Sequence, residues 1–318
     1  MGRGELSMGA ILDPPMLARL ARLALALEIT FYAAIIAWLH AWQGWDVAAL
    51  IVASAVLGLG ARFCLVCFTC LVGWLNGLPR APAHAIGLAG GLRLVLGEYR
   101  ALLADNLLFL PFESLAVRPD RRVAPGMGAP IILVHGYLGN RGFFRPLVRG
   151  LEARGVAGIL TPNFRSVFAT IERFASELHL EIERVSAAAG GGQVVLVCHS
   201  MGGLAARQYI VDQGAARIAK LITIASPHHG TALARLGLGA NARQMRRDSE
   251  FLGALAAGER AHPPRFPAIS IYSPHDNLVS PQETSRLSWA RNVALPGFGH
   301  IHILASRELL GVLLEELR

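Results

Sequence analysis

The sequence predicts an α/β fold, a mostly parallel sheet flanked by helices, preceded by an N-terminal transmembrane helical hairpin. Three observations predict it. Apolar residues are concentrated before residue 80. From Pro130 onward, short β-branched runs alternate with segments of helical apolar spacing. Between residues 194 and 207 a strand-like run passes through His199 and Ser200 directly into a helix-like one.

The hairpin comes first along the chain. Of 318 residues, 53% are hydrophobic and only 16% charged, and mean hydropathy is +0.44, more apolar than soluble domains usually are. The run 23–42 holds one acid, Glu28, and as a helix would span about 30 Å, the thickness of a bilayer core. A polar break at Gln43, Gly44 and Asp46 follows, with Trp38, Trp42 and Trp45 around it in the manner of an interfacial aromatic belt. The second run, 47–78, carries Arg62. The apolar part of the first run is too long for a leader, and no small-residue cleavage site precedes a soluble stretch, so an anchor is expected in 1–79. Two spans are preferred to three (23–42, 47–61 and 63–78). An arginine buried mid-span costs about 2.5–3.5 kcal/mol, whereas near the head groups it can snorkel.

Arg3, Arg19 and Arg22 precede the hairpin, Arg80, Arg93 and Arg100 follow it, and the loop between carries only Asp46. The positive-inside rule therefore puts both flanks on the cytoplasmic face. The formal charge of +8 is almost all arginine, Lys220 being the one lysine. These arginines are dispersed and no nucleic-acid motif accompanies them, so the partner they suggest is an anionic bilayer surface rather than nucleic acid. Cys64, Cys67 and Cys70 repeat at helical spacing inside the second apolar run and read as packing residues.

Residues 80–128 read as a connector, punctuated by Pro82, Pro111, Pro119 and Pro125, with basic residues from Arg80 to Arg122 and an amphipathic helix at 91–108. The sheet follows in 129–318. Its expected strands are 131–134, 158–160, 194–198, 221–224, 268–272 and 292–295, with helices at 144–154, 166–188 and 204–213. The stretch 233–262 breaks this alternation without supplying a strand, and is where a lid or cap would be inserted.

The chemistry concentrates in VVLVCHSMGGLAAR, residues 194–207. A buried strand that turns sharply into a helix at a serine holds that hydroxyl exposed at the C-terminal edge of the sheet. Small residues are needed where strand and helix approach: Gly202 serves on one side, and Cys198 stands where glycine is usual. The segment PIILVHGYLGN, 130–140, ends a strand on His135-Gly136. Acyl transfer needs backbone donors aimed at a developing oxyanion, and the N–H groups of Tyr137 and Met201 are in the right places in the chain. His135, Gly136 and His199 are expected to shape these loops or contact substrate.

These segments, with TIASPHHGT at 223–231, IYSPHDNLVSP at 271–281 and LPGFGHIHILAS at 295–306, resemble the α/β-hydrolase lipases and esterases, especially the small bacterial triacylglycerol lipases. The resemblance runs from about Pro130 to the C-terminus and leaves out the first 79 residues. It implies an α/β-hydrolase fold and a triad in the order Ser200, Asp276, His300. Asp276 lies just past an expected strand, where it can reach an imidazole Nδ1. His300 follows the Gly297-Phe298-Gly299 loop, and His302, two residues on, is its rival among eleven histidines. His228 and His229 are expected to be structural or substrate-contacting. No metal and no cofactor are expected.

The expected function is a serine ester hydrolase acting on a lipid or other hydrophobic ester, anchored in a bacterial inner membrane with its catalytic domain cytoplasmic. An acyltransferase with the same triad, or a non-catalytic membrane scaffold with this fold, are the alternatives.

Overall fold

The computed structural model describes residues 16–318 except 119, 121, 122, 127 and 166. Arg3, Pro119, Arg122 and Ser166, named above, lie outside the described residues. The two apolar runs form long antiparallel helices, α1 (Met16–Gln43) and α2 (Val47–Leu75). Asp46 starts α2 by accepting the Ala49 N–H at 2.8 Å, a side-chain N-cap. The second helix runs through Arg62 unbroken, and Arg62 is stabilised differently from the snorkelling expected above. Its guanidinium forks onto both carboxylate oxygens of Glu28 in α1, at 2.8 and 2.6 Å. Two charges that would each be costly among apolar side chains thus satisfy one another.

Residues 87–104 form α3 (Gly87–Ala104), which continues through a five-residue π turn at Asp105–Phe109 to a short α4 (Glu113–Ala116). The expected helix at 91–108 therefore begins four residues earlier. Spacing by four gives α3 two stripes: Gly90, Leu94 and Glu98 face inward, while Leu88, Leu92 and Leu96 face outward. Tyr99 ties α3 to α2, donating its hydroxyl to Leu59 O at 3.0 Å and meeting the Phe63 ring edge-on.

Among the described residues six strands build one parallel sheet in the order β2-β1-β3-β4-β5-β6. They are β1 (Ile131–Val134), β2 (Ile159–Leu160), β3 (Val194–His199), β4 (Ile218–Ile224), β5 (Ala268–Tyr272) and β6 (Arg291–Ala294). The helices are α5 (Arg145–Glu152), α6 (Ile171–Ala188), α7 (Met201–Gln213), α8 (Gly239–Gln244), α9 (Glu250–Ala261) and α10 (Arg307–Glu316). Period-two alternation sends Val194, Leu196 and Cys198 of β3 into the core shared with α6 and α7. Val195 and Val197 enter the opposite core, with α5 and α10. Helices cover both faces, so the parallel strands read as continuous apolar runs.

The stretch 233–262 divides in two. Leu233, Leu236 and Leu238 lie over the C-terminal edge of the sheet, whereas α9 packs on α7, where buried Arg207 forks onto Glu259 at 2.7 and 2.8 Å.

Candidate active site

Ser200 stands between β3 and α7 with φ 55° and ψ −129°, a region that side-chain-bearing residues rarely occupy and that costs about 1–3 kcal/mol. Its surroundings hold it there. The Ser200 N–H is donated to Ile224 O at 2.9 Å, which pins the turn to β4. Helix α7 starts so close to the end of β1 that a Cβ on Gly202 would lie 2.4 Å from Val134 O. Gly136 is pressed as closely against the serine, for a Cβ there would lie 2.7 Å from Ser200 Cβ. The loop after β1 and the turn after β3 are therefore in contact. The Tyr137 and Met201 N–H groups, one on each, donate to no other described residue. Cys198 is fully buried behind the turn, and burial raises its thiol.

His300 and Asp276 meet at the next part of the same edge. His300 Nδ1 lies 2.9 Å from Asp276 Oδ2 and 3.2 Å from Oδ1. Asp276 Oδ1 also accepts the N–H groups of Leu278 and Val279, both at 2.8 Å, which fixes the carboxylate's direction. Burial pushes the His300 imidazole down, but the charge of Asp276, its hydrogen bond and the charge of Glu98 outweigh that, leaving His300 above its ordinary value.

Three groups hold the histidine's main chain and loop, and a fourth holds the acid loop. His199 donates Nε2–H to His300 O at 3.0 Å, with ring centroids 4.7 Å apart. Asn277 Oδ1 accepts the His300 N–H at 2.9 Å, and its Nδ2 is donated to Thr69 Oγ1 of α2, also at 2.9 Å. Glu98 of α3 accepts the Ile301 and His302 N–H groups at 3.1 and 2.9 Å. Gly73 O of α2 accepts from Ser280 Oγ and Gln282 Nε2, at 3.2 and 3.1 Å. A Cβ on Gly73 would lie 3.1 Å from Asp276 O, so helix and acid loop touch.

The remaining histidines separate cleanly. His302 packs against Gly97 and Phe298 and makes no contact with Asp276. His135 is buried, donating Nδ1–H to Gly136 O and accepting the Phe164 N–H on Nε2, and burial lowers it to about 4. It shapes the loop as a neutral ring. His199 is likewise held well below its usual range, by burial first and by neighbouring His300 second. His228 is buried against Thr223 Oγ1. Sequence reasoning missed Glu98, Asn277 and Thr69.

Ser200 and His300 open into one cavity of about 680 Å³, lined mostly by apolar side chains. Tyr137 fastens its rim: the Tyr137 hydroxyl donates to Leu238 O and accepts the Leu238 N–H, both at 2.9 Å. A buried imidazole oriented by a carboxylate, beside a strained serine and two free amides, can deprotonate a hydroxyl and hold the anion it generates on an attacked carbonyl.

A model of the alpha/beta hydrolase family matches residues 131–310. A lipase of Bacillus licheniformis in its mature form superposes at TM-score 0.53 and 17% identity, over 63% of this chain and 95% of that one. Lipase B of Aspergillus fumigatus superposes at TM-score 0.50 and 21% identity, over 57% of this chain and 52% of that one. At these identities the likeness is one of fold.

Proposed function

Because the chain belongs to the alpha/beta hydrolase family, we propose that it is a membrane-anchored serine ester hydrolase, of the lipase and carboxylesterase kind, acting on lipidic carboxylic esters. One observation carries the reading. The Asp276–His300 pair is buried, and His300 faces the same apolar cavity as a serine held at φ 55°. The superposable bacterial and fungal proteins are lipases by name, which supports a lipidic ester as substrate.

In this reading His300 Nε2 takes the Ser200 Oγ proton as the oxygen attacks the ester carbonyl carbon. Asp276 holds Nδ1–H, so that Nε2 is the free acceptor, and steadies the imidazolium that forms. The Tyr137 and Met201 amides donate to the oxyanion, each such donor contributing roughly 3 kcal/mol. The carbon–alkoxide bond then breaks and His300 hands its proton to the departing alkoxide. Water, deprotonated in turn by His300, attacks the acyl-enzyme, and the carboxylic acid leaves with Ser200 restored. His135, Gly136 and His199 act by shaping the loops that carry these groups. No metal or cofactor enters this chemistry.

Residues 1–79 are the anchor, with α1 and α2 crossing the bilayer as a hairpin, 80–128 the connector and 129–318 the catalytic domain on the cytoplasmic side. The cap lies within 233–262. Fluorophosphonate labelling followed by peptide mapping tests the nucleophile: modification at Ser200, abolished in Ser200→Ala, is expected, and labelling elsewhere would overturn the reading. Alkaline phosphatase and green fluorescent protein fusions at the C-terminus test the side: fluorescence without phosphatase activity is expected.

A further inference from the structure

The cavity that holds Ser200 and His300 is not closed by the family-matched span alone. Leu65, Phe68 and Thr69 of α2 and Leu17 of α1 form one of its walls, and Leu102 of α3 adjoins them. Two helices apolar and long enough to cross a bilayer therefore contribute directly to the candidate substrate site.

The rise of α2 gives the depth of that wall. Val47 follows the interhelical loop, which is surrounded by the exposed Trp38, Trp42 and Trp45. From Val47 to Leu65 and Phe68 the helix climbs about 27 to 32 Å. A hydrocarbon core is about 30 Å thick. With the loop at the far boundary, Leu65 and Phe68 reach the near one. Trp74, also exposed, stands about 40 Å from Val47, roughly 10 Å beyond that near boundary on the side of the hydrolase fold. The cavity thus meets the bilayer at the depth where the ester carbonyls of glycerolipids lie, between acyl chains and head groups. The cap residues beside it are apolar and unpacked: Leu236 is 66% and Leu238 71% exposed. Side chains of this kind at a rim fit burial in lipid better than contact with water.

We propose that the hydrolase fold and the two apolar helices together build an acyl-chain site, and that it takes glycerolipid esters sideways from the leaflet adjoining the catalytic domain. This rests on the reading of Ser200 as nucleophile. The lipid's acyl chain lies along Leu65 and Phe68 while its ester reaches Ser200, and the chain never has to cross water.

A long-chain alkyl fluorophosphonate with a photoactivatable diazirine near its chain end tests both levels in the wild-type, full-length protein reconstituted in phosphatidylethanolamine–phosphatidylglycerol vesicles. Phosphonylation of Ser200, with fluoride leaving, reports the nucleophile. After illumination, the second attachment point reports where the chain lies. Cross-links to residues 65–69 or to Leu17 are expected. Attachment at Ser200 with cross-links confined to other walls would overturn the acyl-chain site while leaving the catalytic reading intact; no attachment at Ser200 would overturn both. The rate reports the route. The probe should react faster by roughly tenfold or more when it shares the protein's vesicle than when supplied in separate vesicles, because a long chain leaves a bilayer slowly. Equal rates would mean uptake through water and overturn the lateral route.

Discussion

Glu98 and His302 lie 204 residues apart in the chain, yet Glu98 Oε2 accepts the His302 N–H at 2.9 Å. The same oxygen lies 3.2 Å from the Ile301 N, so one carboxylate oxygen caps both residues that follow His300. Glu98 is almost fully buried, and burial raises its pKa against the opposing pull of those two amides. A helix outside the family-matched span thereby fixes the loop of the candidate base.

Two substitutions separate shape from charge at Glu98. Glu98→Ala strands two buried amides and should cost about 2 kcal/mol or more of stability together with most of kcat. Glu98→Gln can keep both hydrogen bonds through its amide oxygen, and should remain folded and active. Having lost a negative charge facing His300, it should show the acid limb of kcat/KM at lower pH. An unmoved limb in a folded Glu98→Gln enzyme would reduce Glu98 to a purely steric role.

Ser200→Ala and His300→Ala should each lower kcat for a soluble p-nitrophenyl ester by about 10⁴-fold or more. Asp276→Asn should be severe as well, through loss of the productive tautomer. His302→Ala should be mild, since that ring touches Gly97 and Phe298 rather than Asp276. The reverse ranking of the two histidines would move the base.

His300 must be neutral to act as a base, and its pKa is raised by Asp276 and Glu98 in excess of the lowering by burial. Activity should therefore fall as pH drops through a value above that of an ordinary imidazole, measured as the acid limb of kcat/KM. Stability runs the other way. A raised folded-state pKa contributes stability that is complete below the unfolded value and lost as pH rises through the folded one. Asp276→Asn should shift the activity limb down; a limb that stays in place would assign it to another group.

Arg62→Leu leaves the Glu28 carboxylate without its partner inside an apolar helix pair. It should lower the melting temperature in detergent, at a cost of about 2 kcal/mol or more. Combining it with Glu28→Leu should restore most of that loss. Equal melting of the single and double variants would show that the pair contributes through neither charge.

The fold was legible where local pattern and tertiary role coincide. The β3 run and the turn at Ser200 satisfy strand period, buried hydrophobicity and small-residue need at once, and β3 outran its expected end by only His199. Glu98 was not legible, because a glutamate on an amphipathic helix looks solvated until another element covers it. Nor was the Glu28–Arg62 pair, since each charge taken alone reads as a penalty. The interhelical break held the missing signal: Glu28 and Arg62 stand fifteen residues from Gln43 and Val47, the two helix ends that face it, and an antiparallel hairpin must bring them level. The stretch 233–262 reads in the sequence as a lid or cap insertion, but its Arg- and Ala-rich composition does not reveal that α9 packs on α7.

The contact of Gly73 and Thr69 with the Asp276–Gln282 loop changes what it means to detach this protein from its helices. A tether can be cut and the tethered enzyme goes on working. Here the loop carrying the candidate acid rests on the helix, so proteolysis between α2 and α3 followed by loss of the hairpin would release a fragment with its acid unsupported. Under the proposed function, hydrolysis is expected only of a chain that keeps its hairpin, and a lineage that discarded the hairpin would first have to replace its contacts with the acid loop.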